Sequence, residues 1–162
     1  MAATTRLGTV PASRTLPFRC GRGLLVAAAA LWLAAPALAD VGQIKVATGQ
    51  VFVERKGQSL PGRVGLVLEA DDVLRTGADG SVGVTMKDNS LLSAGPNSIV
   101  SLDRFEFDPT TNDGRFDARL QRGTLAVVSG RIAKKAPQAM TVRTPSAVLG
   151  VRGTEFVVSV DE

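Results

Sequence analysis

Beyond residue 40 the chain alternates. Residues 81–87 read Ser-Val-Gly-Val-Thr-Met-Lys and residues 115–121 read Arg-Phe-Asp-Ala-Arg-Leu-Gln, with every second position apolar and the others polar or small. A period of two puts one set of side chains in a core and the other in water, so both segments are predicted as half-buried strands. Residues 50–54, 104–108, 124–129 and 155–160 follow the same rule less regularly. No window of ten or more residues carries a sustained 3.6-residue apolar stripe. Turn formers separate the strands: Lys56 with Gly57, Pro61 with Gly62, Asp79 with Gly80, Asp88 with Asn89, Gly95 through Asn97, and Asn112 through Gly114. The pattern predicts an all-β domain.

Apolar segments begin near Val73, Val82, Leu91 and Ile99, each followed by a turn cluster. Such a short repeat suits either an antiparallel meander or the rungs of a small β-solenoid. The spacing leaves the choice between the two open. Residues 131–137 form the one charge-biased stretch. Arg131, Lys134 and Lys135 are read there as a solvated turn, or alternatively as a partner contact.

The first 39 residues differ in kind. They hold Arg6, Arg14, Arg19 and Arg22 and no acidic residue, then an apolar run from Gly23, then Pro36-Ala37-Leu38-Ala39. Basic start, short apolar stretch and small residues before a break describe a secretory signal peptide, cleaved after Ala39 to leave Asp40 first. The alternative is a signal anchor holding the domain on the periplasmic side. Residues 23–39 would span roughly 25 Å as a helix against a hydrocarbon core of about 30 Å, and Pro36 lies inside them. The expected division is therefore 1–39 as leader and 40–162 as the β domain.

Charge then reads differently. The chain has 19 basic and 15 acidic residues, and the four leader arginines account for the whole excess. A neutral domain has no bulk electrostatic footprint for nucleic acid. The chain contains no His and no Tyr, and Cys20 and Trp32, the only ones of their kind, lie in the leader. Disulfides, thiol nucleophiles and His-based zinc or copper sites are thereby excluded from the domain. A Ser or Thr nucleophile would lack the usual base, so no catalytic residue and no cofactor is assigned. Residues 108–114 fail as a calcium loop, because with Gly114 at the turn position the first and third ligands would be Pro109 and Thr111.

Three blocks resemble a known family. Thr144-Pro145-Ser146-Ala147-Val148-Leu149-Gly150-Val151-Arg152-Gly153-Thr154-Glu155-Phe156 resembles the Thr-Pro, small residues, Gly-Val-Arg-Gly-Thr, then Phe of the FecR domain, the periplasmic module named after the iron-citrate regulator. Asp72 through Gly77 and Asp88 through Leu92 with Gly95 through Ser98 resemble its Asp-x-x-x-Thr-Gly and Asp-Gly-Ser blocks, in order. Ala70 and Asp71 stand where Gly-Asp is usual, and Asn89 replaces a turn glycine, which Asn can do because it tolerates positive φ. The resemblance implies a compact β-solenoid-like or β-sandwich-like single domain, with the choice between these two forms left open. In iron-transport regulators it implies a sigma-binding cytosolic segment, one membrane span, the module and a transporter-contacting domain. Here 22 residues precede the apolar run and six follow Phe156, so the expected form is a stand-alone exported module.

Thr144, Pro145, Gly150, Arg152, Gly153, Thr154 and Phe156 are thus candidate family residues, read chiefly as structural. In one reading the glycines permit a tight chain crossing and Arg152 pairs internally to pin the last strand. In the other, Arg152 presents its fork to a carboxylate, and with Arg131, Lys134 and Lys135 contacts a partner. The expected function is non-catalytic: a periplasmic binding or interaction module, an accessory part of envelope sensing or signalling. The alternative is a structural subunit or glycan-binding accessory protein of an envelope complex. An envelope protein or cell-wall glycan is the expected partner, with no nucleic acid and no membrane span after cleavage; oligomeric state is not specified.

Overall fold

In a computed structural model of the chain, residues 40–151 and 155–161 are described. Twelve strands follow in chain order: β1 (Asp40–Thr48), β2 (Val51–Arg55), β3 (Gln58–Pro61), β4 (Val67–Glu69), β5 (Val73–Thr76), β6 (Ser81–Met86), β7 (Leu91–Ala94), β8 (Ile99–Phe107), β9 (Gly114–Val128), β10 (Met140–Arg143), β11 (Val148–Gly150) and β12 (Glu155–Val160). One short helix, α1 (Arg131–Lys135), and a 3-10 turn, Pro137–Ala139, interrupt them after β9. The all-β expectation holds, and the domain is single.

The strands make a meander of bent arms. β1 runs on into β2, β5 into β6 and β7 into β8, while β9 is one arm by itself; each arm pairs antiparallel with the next along both of its halves. One half-sheet therefore has the order β4-β1-β6-β7-β9-β12 and the other β3-β2-β5-β8-β9-β10-β11. Only β9 and β10 run parallel. The sheet curls into an antiparallel half-barrel, and of the two forms left open the sandwich-like one is nearer, because stacked solenoid rungs would pair in parallel. The repeat seen along the sequence is the half-arm.

Hydroxyls and turn residues form the line where the arms bend. The Gly77 N–H donates to the Gln50 carbonyl at 2.9 Å, the Asn97 N–H to Gly77 at 3.0 Å and the Gly95 N–H to Thr124 at 3.0 Å, joining four arms in succession. Thr76 Oγ1 donates to the Gly95 carbonyl at 2.6 Å and accepts the Ser98 N–H at 2.8 Å. Ser98 Oγ accepts the Thr124 N–H at 3.0 Å. Thr76 and Ser98 are buried, so these bonds satisfy backbone groups that the bend removes from the ladder. β9 bends at Gly123, whose φ of +87° and a would-be Cβ 2.3 Å from Ser98 Oγ both require glycine. Residues 115–121 and 124–129, expected as separate strands, are for this reason one bent strand.

Alternating residues of both halves meet in a single core. Val53, Leu74, Leu102, Phe116, Leu120 and Val142 come from one half, and Ile44, Val82, Leu92, Leu125 and Val127 from the other. Phe105 and Phe116 stack edge to face at 5.7 Å. Residues 131–135, expected as a solvated turn, are instead helical, because Ile132 and Ala133 are buried against this core.

Candidate functional site

The two upstream family-like blocks place their polar residues inside the domain. Asp72, 1% exposed, receives the Arg55 guanidinium from Nε at 2.8 Å and Nη2 at 2.7 Å, and its Oδ2 also accepts the Glu69 N–H at 2.8 Å. Arg55 reaches Glu69 Oε1 and the Val67 carbonyl as well, which ties β2 to β4. The hydrogen bond to Asp72 holds the Arg55 pKa above its ordinary value against the opposing effect of burial. Asp71 adopts φ of +68° in the turn just before Asp72.

Asp88 is fully buried at the β6–β7 hairpin tip. Its Oδ1 accepts the Ser90 N–H at 3.0 Å, and its Oδ2 accepts Ser90 Oγ at 2.8 Å and the Ile132 N–H at 3.3 Å. The Asp88 carbonyl accepts the Arg131 N–H at 2.8 Å, and Ser90 Oγ accepts the Gly130 N–H at 2.9 Å. A hairpin tip thus fastens the chain as it leaves β9. Asn89 sits between them at φ of +67°, as its turn role requires. With Thr76 and Ser98 on the bend, these blocks describe a folding framework.

The third block forms a turn and a groove. The Thr144 N–H donates to the Ala147 carbonyl at 2.8 Å, and Thr144 Oγ1 accepts the Ala147 N–H at 3.0 Å, so Thr144 and Pro145 close the β10–β11 hairpin. Gly150 departs from the expected tight crossing: a Cβ there would meet nothing within 4 Å, and its φ is not positive. Phe156 is half-buried against the core. Arg152, Gly153 and Thr154 lie outside the described residues.

Among the described residues β11 pairs only with β10, and β12 only with β9. The two outermost strands, one from each half-sheet, flank a depression of about 260 Å³ lined by Leu149, Gly150, Val151, Glu155, Phe156, Val157 and Val158. Its lining side chains are apolar except for Glu155. The groove can offer backbone hydrogen-bonding groups and apolar contacts, and it holds no acid–base pair for catalysis. Among the described residues no group of three or more acidic, His or Cys side chains is placed to hold a metal ion. None of Leu149, Val151, Val157 and Val158 was singled out from sequence; the available signal was a six-residue alternating strand without the Lys or Pro that usually guards an edge.

Arg131, Lys134 and Lys135 come together on α1 beside Pro109 and Asn112 of the β8–β9 hairpin. Lys135 is engaged there, donating to the Thr111 carbonyl and pairing with Asp113 Oδ1, each at 2.7 Å. That lysine holds the Asp113 carboxyl below its ordinary pKa, and the Thr110 N–H does the same for Asp108. The basic cluster therefore braces a hairpin in part, and Arg131 and Lys134 remain exposed.

A family profile described as FecR protein matches residues 72–162. No curated protein and no solved structure matches the chain. The matched span begins at the buried Asp72, takes in the Thr76–Ser98 bend and the Asp88 fastening, and ends with the strands of the groove, covering more than half of the sequence. The chain belongs to the FecR family.

Proposed function

We propose that this chain is a non-catalytic interaction module of the cell envelope, exported with residues 1–39 as a leader cleaved after Ala39, and that it takes an extended segment of an envelope protein as an added strand in the groove between β11 and β12. The family is regulatory and signalling in character and implies contacts between proteins. No helix among the described residues is long and apolar enough to cross a membrane. The observation that carries the reading is the pair of unpaired edges facing one apolar groove. Strand addition draws affinity from main-chain bonds and selectivity from alternate side-chain contacts, which is what such a groove supplies. A sugar ligand would need several polar side chains to meet its hydroxyls, and the groove has only Glu155, so a peptide fits better than a glycan.

The test combines two measurements. A photocrosslinker at Leu149 should capture an envelope protein that the same probe at Arg119 does not. Hydrogen exchange in the purified complex should then slow at the amides of 155–160 relative to the free chain. A captured partner that leaves those amides exchanging at the free rate refutes strand addition, and N-terminal sequencing that finds Met1 retained refutes the leader.

A further inference from the structure

The two outer surfaces of the curled sheet differ in chemistry. Outside the half built on β2, β5, β8 and the first part of β9, charge dominates: Arg75 pairs with Glu54, Arg119 with Asp103 at 3.0 Å, Arg115 with Asp117 at 2.8 Å and Arg104 with Glu106 at 2.8 Å. Outside the other half, β4-β1-β6-β7-β9-β12, most outward positions are apolar or small, with Gln43, Lys45 and Glu155 among them. Five of the eight exposed large hydrophobic residues lie there: Val46 at 56%, Val67 at 41%, Leu91 at 46%, Val128 at 37% and Val157 at 64%.

Strand register puts these residues in rows. One row crosses the sheet as Val157, Ala126, Ser93, Gly83 and Val46, and the next as Glu155, Val128, Leu91, Thr85, Gln43 and Val67. Small residues in the middle of the first row leave the face flat enough for a second sheet to approach. Apart from the Asp40–Lys87 pair at the strand ends and Glu69 of β4, which Arg55 neutralises, its charges are Lys45, which hydrogen-bonds Gln43 on β1, and Glu155 on β12. Those two lie on opposite sides of the sheet and have opposite sign.

We propose that this face docks a second copy of the chain, with a twofold axis running along β7. That axis stacks Leu91 on its own counterpart, sets Val157 over Val46 of the other copy and brings each Glu155 to the other copy's Lys45. An axis across the strands would instead set Lys45 over Lys45 and Glu155 over Glu155, so charge selects the first arrangement. About that axis five strands of each copy, β1, β6, β7, β9 and β12, face one another; at about 4.8 Å apart and some five to six residues long they give a footprint of roughly 450 Å² per copy, or about 900 Å² in all, in the range of weak, transient interfaces. Residues 40–162 carry equal numbers of acidic and basic residues, so copies meet without net repulsion.

The face shares Glu155 and Val157 with the groove, whereas Leu91 and Lys45 do not line it, so changes at those two residues test the face separately from strand addition. Sedimentation velocity of the protein from about 1 to about 200 µM should show a monomer–dimer equilibrium with a micromolar Kd, as expected for an interface of this size. Leu91→Glu should weaken association by at least ~100-fold, and a thermal melt at low concentration should show that this exposed site tolerates the change. Lys45→Glu and Glu155→Lys should each weaken it by roughly tenfold, since each breaks two symmetry-related pairs, and the double reversal should restore it. A parent chain that stays monomeric at ~200 µM overturns the proposal and hands the face to a different protein. A dimer indifferent to Leu91→Glu, or a double reversal no better than the singles, overturns it equally.

Discussion

Replacing Asp88 with Ala should destabilise the domain strongly. The carboxylate is fully buried and accepts three hydrogen bonds, from Ser90 N–H, Ser90 Oγ and Ile132 N–H. A hydrogen bond to a charged acceptor contributes about 1.5–3 kcal/mol, and the donors stranded by truncation have no water to turn to. The three share one acceptor group and do not add, and the Ile132 bond is long, so we expect a loss of about 3–5 kcal/mol. For a domain of this size that is roughly 10–20 °C in Tm. The assay is a thermal melt with a urea titration beside it. Asp88→Asn should fall nearly as far, because it keeps the volume but turns an N–H toward donors, and this separates lost bonding from a cavity. Hydrogen exchange should quicken at residues 130–136, since the chain after β9 hangs from this tip. An Asp88→Ala protein melting within 3 °C of the parent would refute the claim that the hairpin tip fastens α1.

Three further outcomes follow from the same geometry. Arg55→Lys keeps the charge but loses the two-pronged hold on Asp72, and should cost roughly 1–3 kcal/mol in urea unfolding. Gly130→Ala places a Cβ 2.4 Å from the Asp88 carbonyl oxygen and the Ser90 nitrogen, both backbone, so about 3 kcal/mol or more should be lost, read as a drop in Tm. Asp108 and Asp113 have folded pKa values below their unfolded ones, so whatever stability they add is present above the unfolded pKa and fades as pH falls through the folded one; carboxyl NMR should show Lys135→Met returning Asp113 toward the ordinary range while Asp108 stays low.

The strands were legible because burial on one face is written as alternation, and residues 81–86 and 155–160 emerged almost as read. Family resemblance marked Asp72, Thr76, Asp88 and Ser98 without saying what they do. Their roles depend on partners 17 or more residues away in other elements: Asp72 needs Arg55, Thr76 needs Gly95 and Ser98, and Asp88 needs Ile132. No local pattern encodes such pairings. α1 escaped for a related reason, since five residues show no period and their helical form is imposed by burial of Ile132 and by bonds from Asp88. The groove was invisible because it is made of unpaired edges, and which strand ends a sheet is a property of topology.

The line of Gly77, Gly95, Gly123, Thr76 and Ser98 acts as a crease shared by every arm. A crease that runs through four arms cannot bend one of them alone, so any change in the angle between the half-sheets must be shared by all four arms and resisted by the single core packed between them. β11 sits on one half-sheet and β12 on the other, which makes the width of the slot between them a reading of that angle. Thr76→Val removes the bonds to Gly95 and Ser98 on that crease, far from the slot, and is expected to alter the slot's width.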